Sequence, residues 1–440
     1  MKLVQLLGVI CWLTGCLSAQ GQSVRPRIIS SDVANFWLAY DSIRVTPDSA
    51  RQVAQLTRLY LAKATPGLRA FQAVKDYTAA EWVSAIRRYP KFWNSIRPNT
   101  LLAAKKATAI GPYLAKLRKL YPALRPAGIY LAVGALRSGG TTQDSLVLIG
   151  TELAAGDPQT DISEFSGGTH AFLARHFASR PLDNLVLVNV HEYVHTQEHG
   201  PGNTVLAQAL YEGTCDLVAE LVTGKVPPLP YMTYGPANEA ELKERFKKEM
   251  YTPLIGNWFY NQTSTKPGHV SDLGYYMGYA IEKHYYQRTH DKRQAIKELM
   301  ELDYTNDRAV GAFLAKTGYY ATPPDKAALL AAYETRRPVV ARVLPAPAAD
   351  GLLDASVREI RVEFSAPMAR FTATDYGTGG KEAFPVVKQL GFSADKRAYV
   401  YQVALQPGHA YSFVLNGGGF QDENGYPLQR YEVKFQTKLQ

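Results

Sequence analysis

The sequence predicts an α+β chain, in which a mostly helical domain with a small sheet is followed by an all-β C-terminal sandwich. Three observations predict it. Apolar residues recur at helical spacing through most of the stretch from Thr46 to Arg337. The period drops to two around residues 128–150, and beyond Arg337-Pro338 short alternating runs separated by turn signals take over. With 440 residues and 46% hydrophobic content the chain is long enough for two or three domains with a real core. The division expected is a signal segment over 1–19, a main domain over 26–337 and a β-sandwich over 338–440.

The chain opens on Met1-Lys2 and the apolar run Leu3 to Leu13, a segment of signal-peptide length that is short for a membrane span. Leu13-Thr14-Gly15-Cys16 resembles a bacterial lipobox, in which Cys16 would be acylated and anchor the protein to a membrane. A competing cut after Ala19 would release it as a secreted protein. Either way the sequence predicts export, to the periplasm or outer membrane of a bacterial cell envelope or beyond it. Of the three cysteines only Cys11, Cys16 and Cys215 exist, so no disulfide framework is expected, and Cys215 reads as a small packing residue. The net charge of +10 arises from 49 Lys and Arg against 39 Asp and Glu without a basic block, which gives no footing for nucleic-acid binding.

Helices are expected from Pro47 to Ala64, closed by Thr65-Pro66-Gly67, then from Ala79 to Arg88 and from Thr100 to Tyr121. Gly128 to Gly134 and Ser145 to Gly150 read as strands joined by a Gly139-Gly140 loop. Such a pair serves equally as a structural hairpin or as an edge on which an extended peptide could pair.

Asn184 to His199 carries no Pro or Gly and contains His191-Glu192-Tyr193-Val194-His195, an H-E-x-x-H motif. On a helix, residues four apart share a face, so His191 and His195 can offer two imidazoles to one Zn2+ with Glu192 placed as general base. The extended metzincin motif would need Gly at 198 and His at 201; the chain has Glu198 and Pro201. A following helix supplies Glu212 and, four residues on, Asp216. Glu212 fits as the third metal ligand of the gluzincin pattern, and Asp216 as acceptor for the second N–H of a ligand histidine.

Asp272 to Gln287 plots as a helix with Leu273, Met277, Ala280, Ile281 and His284 on one side. One of Tyr275, Tyr276 and Tyr279 is expected to donate to a developing oxyanion. Lys292 to Thr317 and Asp325 to Arg337 close the helical domain. Beyond the Pro345 to Gly351 linker, Glu359 to Phe364, Ala398 to Val403, Ala410 to Leu415 and Tyr431 to Phe435 alternate as strands, with turns at Gln406-Pro407-Gly408 and Glu423-Asn424-Gly425.

Thr65-Pro66-Gly67-Leu68 with Phe71, Gly139-Gly140-Thr141 before Leu148-Ile149-Gly150, the H-E-x-x-H motif, Glu212-Gly213 with Asp216, and Asp272 to Tyr279 together resemble the predicted zinc-dependent proteases related to gliding-motility lipoprotein B of Bacteroidetes-type bacteria. The resemblance spans residues 30–335. It implies a gluzincin-like metallopeptidase domain in the cell envelope, with His191, His195 and Glu212 as ligands and Glu192 as base. Phe364-Ser365-Ala366-Pro367-Met368 and Asp422-Glu423-Asn424-Gly425 resemble a bacterial Ig-like module.

The expectation is therefore a zinc peptidase acting on a peptide or protein substrate. Its rivals are a metal amidase acting on cell-wall peptides and a non-catalytic envelope lipoprotein that binds or assembles around a vestigial metal site. Oligomeric state leaves no mark on the sequence.

Overall fold

The computed structural model describes residues 27–262, 268–371 and 373–439. The signal segment and Cys16 lie outside the described residues. Among the described residues no helix is long and apolar enough to cross a membrane.

The chain is α+β. After one short strand come six α-helices: α1 (Ser31–Arg44), α2 (Ser49–Leu59), α3 (Pro66–Lys75), α4 (Ala79–Arg88), α5 (Pro90–Lys106) and α6 (Ile110–Leu120). Their starts obey capping chemistry. Asp48 accepts from the Arg51 amide, Pro66 follows the Thr65 cap, and Thr78 and Glu81 close a reciprocal capping box on α4. The single helix expected from Thr100 to Tyr121 is instead the end of α5, a 3-10 turn at Ala107–Ala109, and α6.

Strands β1 (Arg27–Ile29), β2 (Gly128–Ala132), β3 (Gly140–Gln143) and β4 (Leu146–Gly150) form one sheet in the order β1-β2-β4-β3. Here the expected strand pair is corrected. β2 and β4 run parallel, and the hairpin is β3–β4, turning at Asp144-Ser145, so Gly140 belongs to a strand and not to a connecting loop. Two buried apolar runs pair side by side in the interior, as parallel strands require, while half-exposed Gly140-Thr141-Thr142-Gln143 takes the edge.

Next come α7 (Thr151–Ala154), α8 (Gly167–Ala178), α9 (Leu185–His195), α10 (Val205–Thr223), α11 (Pro230–Ala237), α12 (Glu239–Glu249), α13 (Leu273–Arg288), α14 (Lys292–Met300), α15 (Asp307–Thr317) and α16 (Lys326–Arg336). The expected helix over 292–317 is broken between α14 and α15, where Asn306 caps the second piece. α10 is buried nearly all round, as its continuous apolar sequence demands. Thr204 caps its start, and Gly224, at φ 74°, ends it in the left-handed conformation. It packs against α13 backbone to backbone: a Cβ at Gly213 would strike Gly278, and one at Gly278 would strike the Ala209 carbonyl.

The C-terminal region is strand-rich. It comprises β5 (Val340–Leu344), β6 (Leu352–Leu353), β7 (Glu359–Phe364), β8 (Met368–Phe371), β9 (Asp375–Tyr376), β10 (Val386–Phe392), β11 (Ala398–Val403), β12 (Ala410–Leu415), β13 (Phe420–Asp422) and β14 (Tyr431–Thr437). They assemble as sheets β10-β11-β7-β5 and β6-β14-β12-β9 with a β13-β8 ribbon. Ile360, Val362, Tyr401, Phe413, Leu415 and Val433 from both sheets enter one apolar cluster, separate from the large cluster of the helical part. Tyr333 and Tyr426 stack where the two parts meet.

Candidate metal centre

The H-E-x-x-H residues fall in the last turns of α9, which ends at His195 and not at His199. After it the chain tightens, with the Thr196 and Gln197 amides bonding to the Tyr193 and Val194 carbonyls. The tightening swings Glu198 back under the helix, where its Oε2 lies 2.8 Å from His195 Nδ1. On the other histidine, Asp216 Oδ1 lies 2.8 Å from His191 Nδ1. With both Nδ1 atoms taken by carboxylates, both Nε2 atoms turn inward. They meet at Glu212 Oε2, at 3.5 Å from His191 and 3.3 Å from His195.

Those separations test the fit of an ion. Tetrahedral Zn2+ with ligand bonds of about 2.1 Å sets ligand atoms about 3.4 Å apart, which matches both. Each imidazole is held by a carboxylate on its far nitrogen, the usual support of a metal-bound histidine. Glu212 is held as well: its Oε1 accepts from Gln208 Nε2 at 3.1 Å and from the Tyr260 hydroxyl at 3.2 Å, which leaves Oε2 for the histidines.

A second set, His191, His195 and Cys215, also lies within metal-ligating reach. Cys215 Sγ, however, sits 3.2 Å from His195 Nδ1 and 3.5 Å from Glu198 Oε2, behind the ring. Glu198 already holds that nitrogen, whereas Glu212 Oε2 faces both Nε2 atoms, so Glu212 is the better third donor. Cys215 is thus more than the packing residue expected, since it abuts the bond that orients His195.

Electrostatics follow the same lines. Burial pushes the His191 imidazolium toward neutrality, but its hydrogen bonds to Asp216 and Glu212 outweigh that and raise it to about 10. His195 is likewise opposed by burial and raised well above its usual range, chiefly by the Glu212 charge. Burial pushes Glu212 up, and the two histidines bring it below the ordinary carboxylate range. Four carboxylates around two imidazoles make a pocket that favours cationic charge.

Glu192 lines a cavity of about 380 Å³ together with Gly140, His191, Phe172, Leu229, Tyr231 and Tyr275. Burial raises its carboxyl, offset in part by the histidines. A Cβ on Gly140 would come within 2.6 Å of Glu192 Oε1, so the edge strand β3 lies directly over the carboxylate. A second hollow, bordered by Thr142, Asp144, His195 and Tyr211, lies toward the far end of the same strand.

The three tyrosines of α13 separate. Tyr275 lines the cavity, its ring 5.3 Å from Tyr231 and 6.4 Å from His191. Tyr276, 100° around the helix, donates to Glu239 Oε2 at 2.6 Å. Tyr279, one turn further, donates to Glu220 beside Lys283. The structure therefore brings Tyr275 to the site and engages the other two elsewhere. His284 is half-buried against Tyr319.

Sequence reading missed Glu198, Tyr231, whose hydroxyl donates to Asp216 Oδ2 at 3.0 Å, Tyr260, and Tyr211, which stacks on His195 at 4.3 Å. Only Glu198 left a signal, as a carboxylate three residues after a ligand histidine.

No family profile matches the chain, and no curated protein matches it. Among solved structures it aligns with the N-terminal part of the bacterial S-layer protein SbsC at 13% identity, over 93% of this chain and 77% of that one, with a TM-score of 0.18. It also aligns with domains 1–6 of the surface layer protein SbsC at 13% identity, over 93% of this chain and 45% of that one, with a TM-score of 0.19. Scores of this size describe no shared fold.

Proposed function

We propose that the chain is a zinc-dependent peptidase of the bacterial cell envelope, gluzincin-like in its helical domain, with an Ig-like module over 338–440. One observation carries the reading: both Nε2 atoms converge on Glu212 Oε2, each opposite nitrogen is fixed by a carboxylate, and Glu192 stands beside them at a cavity. His191, His195 and Glu212 would hold the ion. Bound there, Zn2+ polarises a carbonyl and lowers the pKa of water.

The chain's own residues supply the remainder. Glu192 Oε1 or Oε2 accepts a proton from the attacking water and delivers it to the leaving nitrogen. Asp216 and Glu198 keep the protons on Nδ1, so that the Nε2 lone pairs stay free. Tyr275 is the tyrosine whose position suits an oxyanion donor. Edge strand β3 offers unpaired backbone groups to an extended peptide lying across the two hollows. The apolar lining of the cavity suits a large apolar side chain next to the scissile bond. A purely structural metal site has no use for a carboxylate placed as Glu192 is, which favours catalysis over a binding lipoprotein with a vestigial metal.

The test is zinc stoichiometry by elemental analysis together with digestion of casein, a peptide library and cell-wall peptides by the wild type and Glu192→Gln. One zinc per chain in both proteins and cleavage by the wild type alone are expected. Wild-type protein without stoichiometric zinc, or a fully active Glu192→Gln, would refute the reading. Cleavage confined to cell-wall peptides would assign the amidase variant of it.

A further inference from the structure

Behind His195 the polar contacts do not stop at Glu198. The other oxygen of that carboxylate, Oε1, lies 3.2 Å from the Tyr304 hydroxyl, which lies 2.9 Å from Thr214 Oγ1. Thr214 Oγ1 in turn lies 2.7 Å from Oε1 of Glu282. Glu282 is completely buried on α13, and its Oε2 has no partner among the described residues. No cation faces it. The close approach of α10 and α13 at Gly213 and Gly278 sets it there, since Glu282 lies one turn beyond Gly278 and Thr214 directly follows Gly213.

A buried carboxyl with a bare oxygen is costly unless something needs it. A methionine of similar length would fill the space without that cost. We propose that Glu282, Thr214 and Tyr304 form a directional hydrogen-bond chain that positions Glu198 and, through it, His195 for metal binding. The proposal rests on His195 being a zinc ligand, as the proposed function has it.

Proton counting gives the direction. Glu198 Oε2 accepts from His195 Nδ1–H, so Oε1 also needs a donor, and Tyr304 is its neighbour. The Tyr304 hydroxyl has one proton and three oxygens around it: Glu198 Oε1, Thr214 Oγ1 and the Leu299 carbonyl at 2.9 Å. The Leu299 carbonyl already accepts from the amides of Glu301 and Leu302, so the Tyr304 proton goes to the charged Glu198 oxygen, and the Thr214 proton is free to point at the Tyr304 oxygen. Thr214 Oγ1 then needs a donor on its other side, where its neighbour among the described residues is Glu282 Oε1. A neutral Glu282 supplies it, and burial together with the nearby Glu198 and Asp216 charges favours the neutral acid. The chain Glu282 to Thr214 to Tyr304 to Glu198 then runs one way and ends on a carboxylate that fixes the Nδ1–H tautomer of His195. Each of these three is a positioning residue, acting on the metal only through Glu198.

The experiment measures zinc affinity by chelator competition on the full chain, with melting of each metal-free variant as control. Thr214→Val and Tyr304→Phe are each expected to weaken zinc binding by roughly 10-fold, the low end for outer-shell partners of a metal ligand. The double variant should lose little more than either single one, because a chain broken once is broken. Glu282→Gln, whose amide can still donate to Thr214, and Thr214→Ser, which keeps the hydroxyl, should stay within about twofold of wild type. The His195 Nδ1–H proton resonance in zinc-loaded protein should move in the Val and Phe variants and hold in the Gln and Ser ones. Undiminished zinc affinity in Thr214→Val and Tyr304→Phe, or losses that multiply in the double variant, would overturn the chain while leaving the metal site intact. A wild type that takes up no zinc overturns the proposed function and this inference together.

Discussion

The helical and strand-rich parts bury different things. The helical core encloses Asp32, Glu152, Glu198, Glu212, Asp216 and Glu282, all at or below 9% exposure. The strand cluster is Ile, Val, Leu, Met, Phe and Tyr, and Asp422, the one carboxylate of this part below 10% exposure among the described residues, accepts amide protons from Asn424 and Tyr426 in a turn. Buried carboxylates oppose folding unless they are paired. Four of the six, Glu198, Glu212, Asp216 and Glu282, lie around α9, α10 and α13, at and behind the candidate metal centre, whereas the strand part has no such group of buried charges among the described residues. That contrast agrees with the proposed metal centre lying in the helical part, and leaves residues 338–440 without a comparable polar cluster among the described residues.

The sharpest way to break the contrast is to remove a donor. His191→Ala or Glu212→Ala should lower zinc affinity by more than about 100-fold, beyond the loss expected for a supporting residue. Competition against a calibrated chelator measures it. If Glu212→Ala kept wild-type affinity while Cys215→Ser lost it, the donor set would pass to His191, His195 and Cys215.

A change of comparable size in the strand part should leave the centre untouched. Phe413 is fully buried between the two sheets, and Phe413→Ala should cost about 3–5 kcal/mol there. Chemical denaturation followed by a probe in each part would show the strand transition moving to lower denaturant while zinc affinity holds. Zinc affinity falling in step would mean the two parts fold as one unit.

The same contrast explains what could be read from sequence. β7, β11 and β12 fall at the residues where alternation placed them, because a strand with one buried face must alternate. α4, with its capping box, does too. His191, Glu192, His195, Glu212 and Asp216 were legible because helical spacing alone sets them on facing sides of α9 and α10. What was not legible depends on the turn after α9 and on distant segments. Glu198 follows His195 at a spacing that allows a pair, but where the helix stops and how the turn after 195 sets the carboxylate on Nδ1 come from the fold. Tyr231 and Tyr260 come from α11 and a loop that no local periodicity ties to α10. Tyr276 and Tyr279 looked equivalent to Tyr275 until Glu239 and Glu220, on other helices, claimed their hydroxyls.

Glu152 sharpens the contrast outside the metal centre. Its carboxylate is fully buried and accepts from the amides of Gly134, at 2.8 Å, and Leu136, at 3.2 Å, holding the turn that leads into β3 and Gly140. Burial raises its pKa from 4.5 to about 7, against the pull of those amides. Between these values the folded chain keeps a proton that the unfolded chain has released. Its contribution to stability is therefore complete below pH 4.5 and is lost as the pH rises through about 7, for roughly 3 kcal/mol. Glu152→Gln cannot titrate, so the stability difference between wild type and variant should shift in the variant's favour from about pH 4.5 through 7 and level off only above about pH 8. Urea denaturation of both proteins across that range measures it. A difference that stays flat through the window would mean that Glu152 is already ionised in the folded chain and that the two amides outweigh its burial.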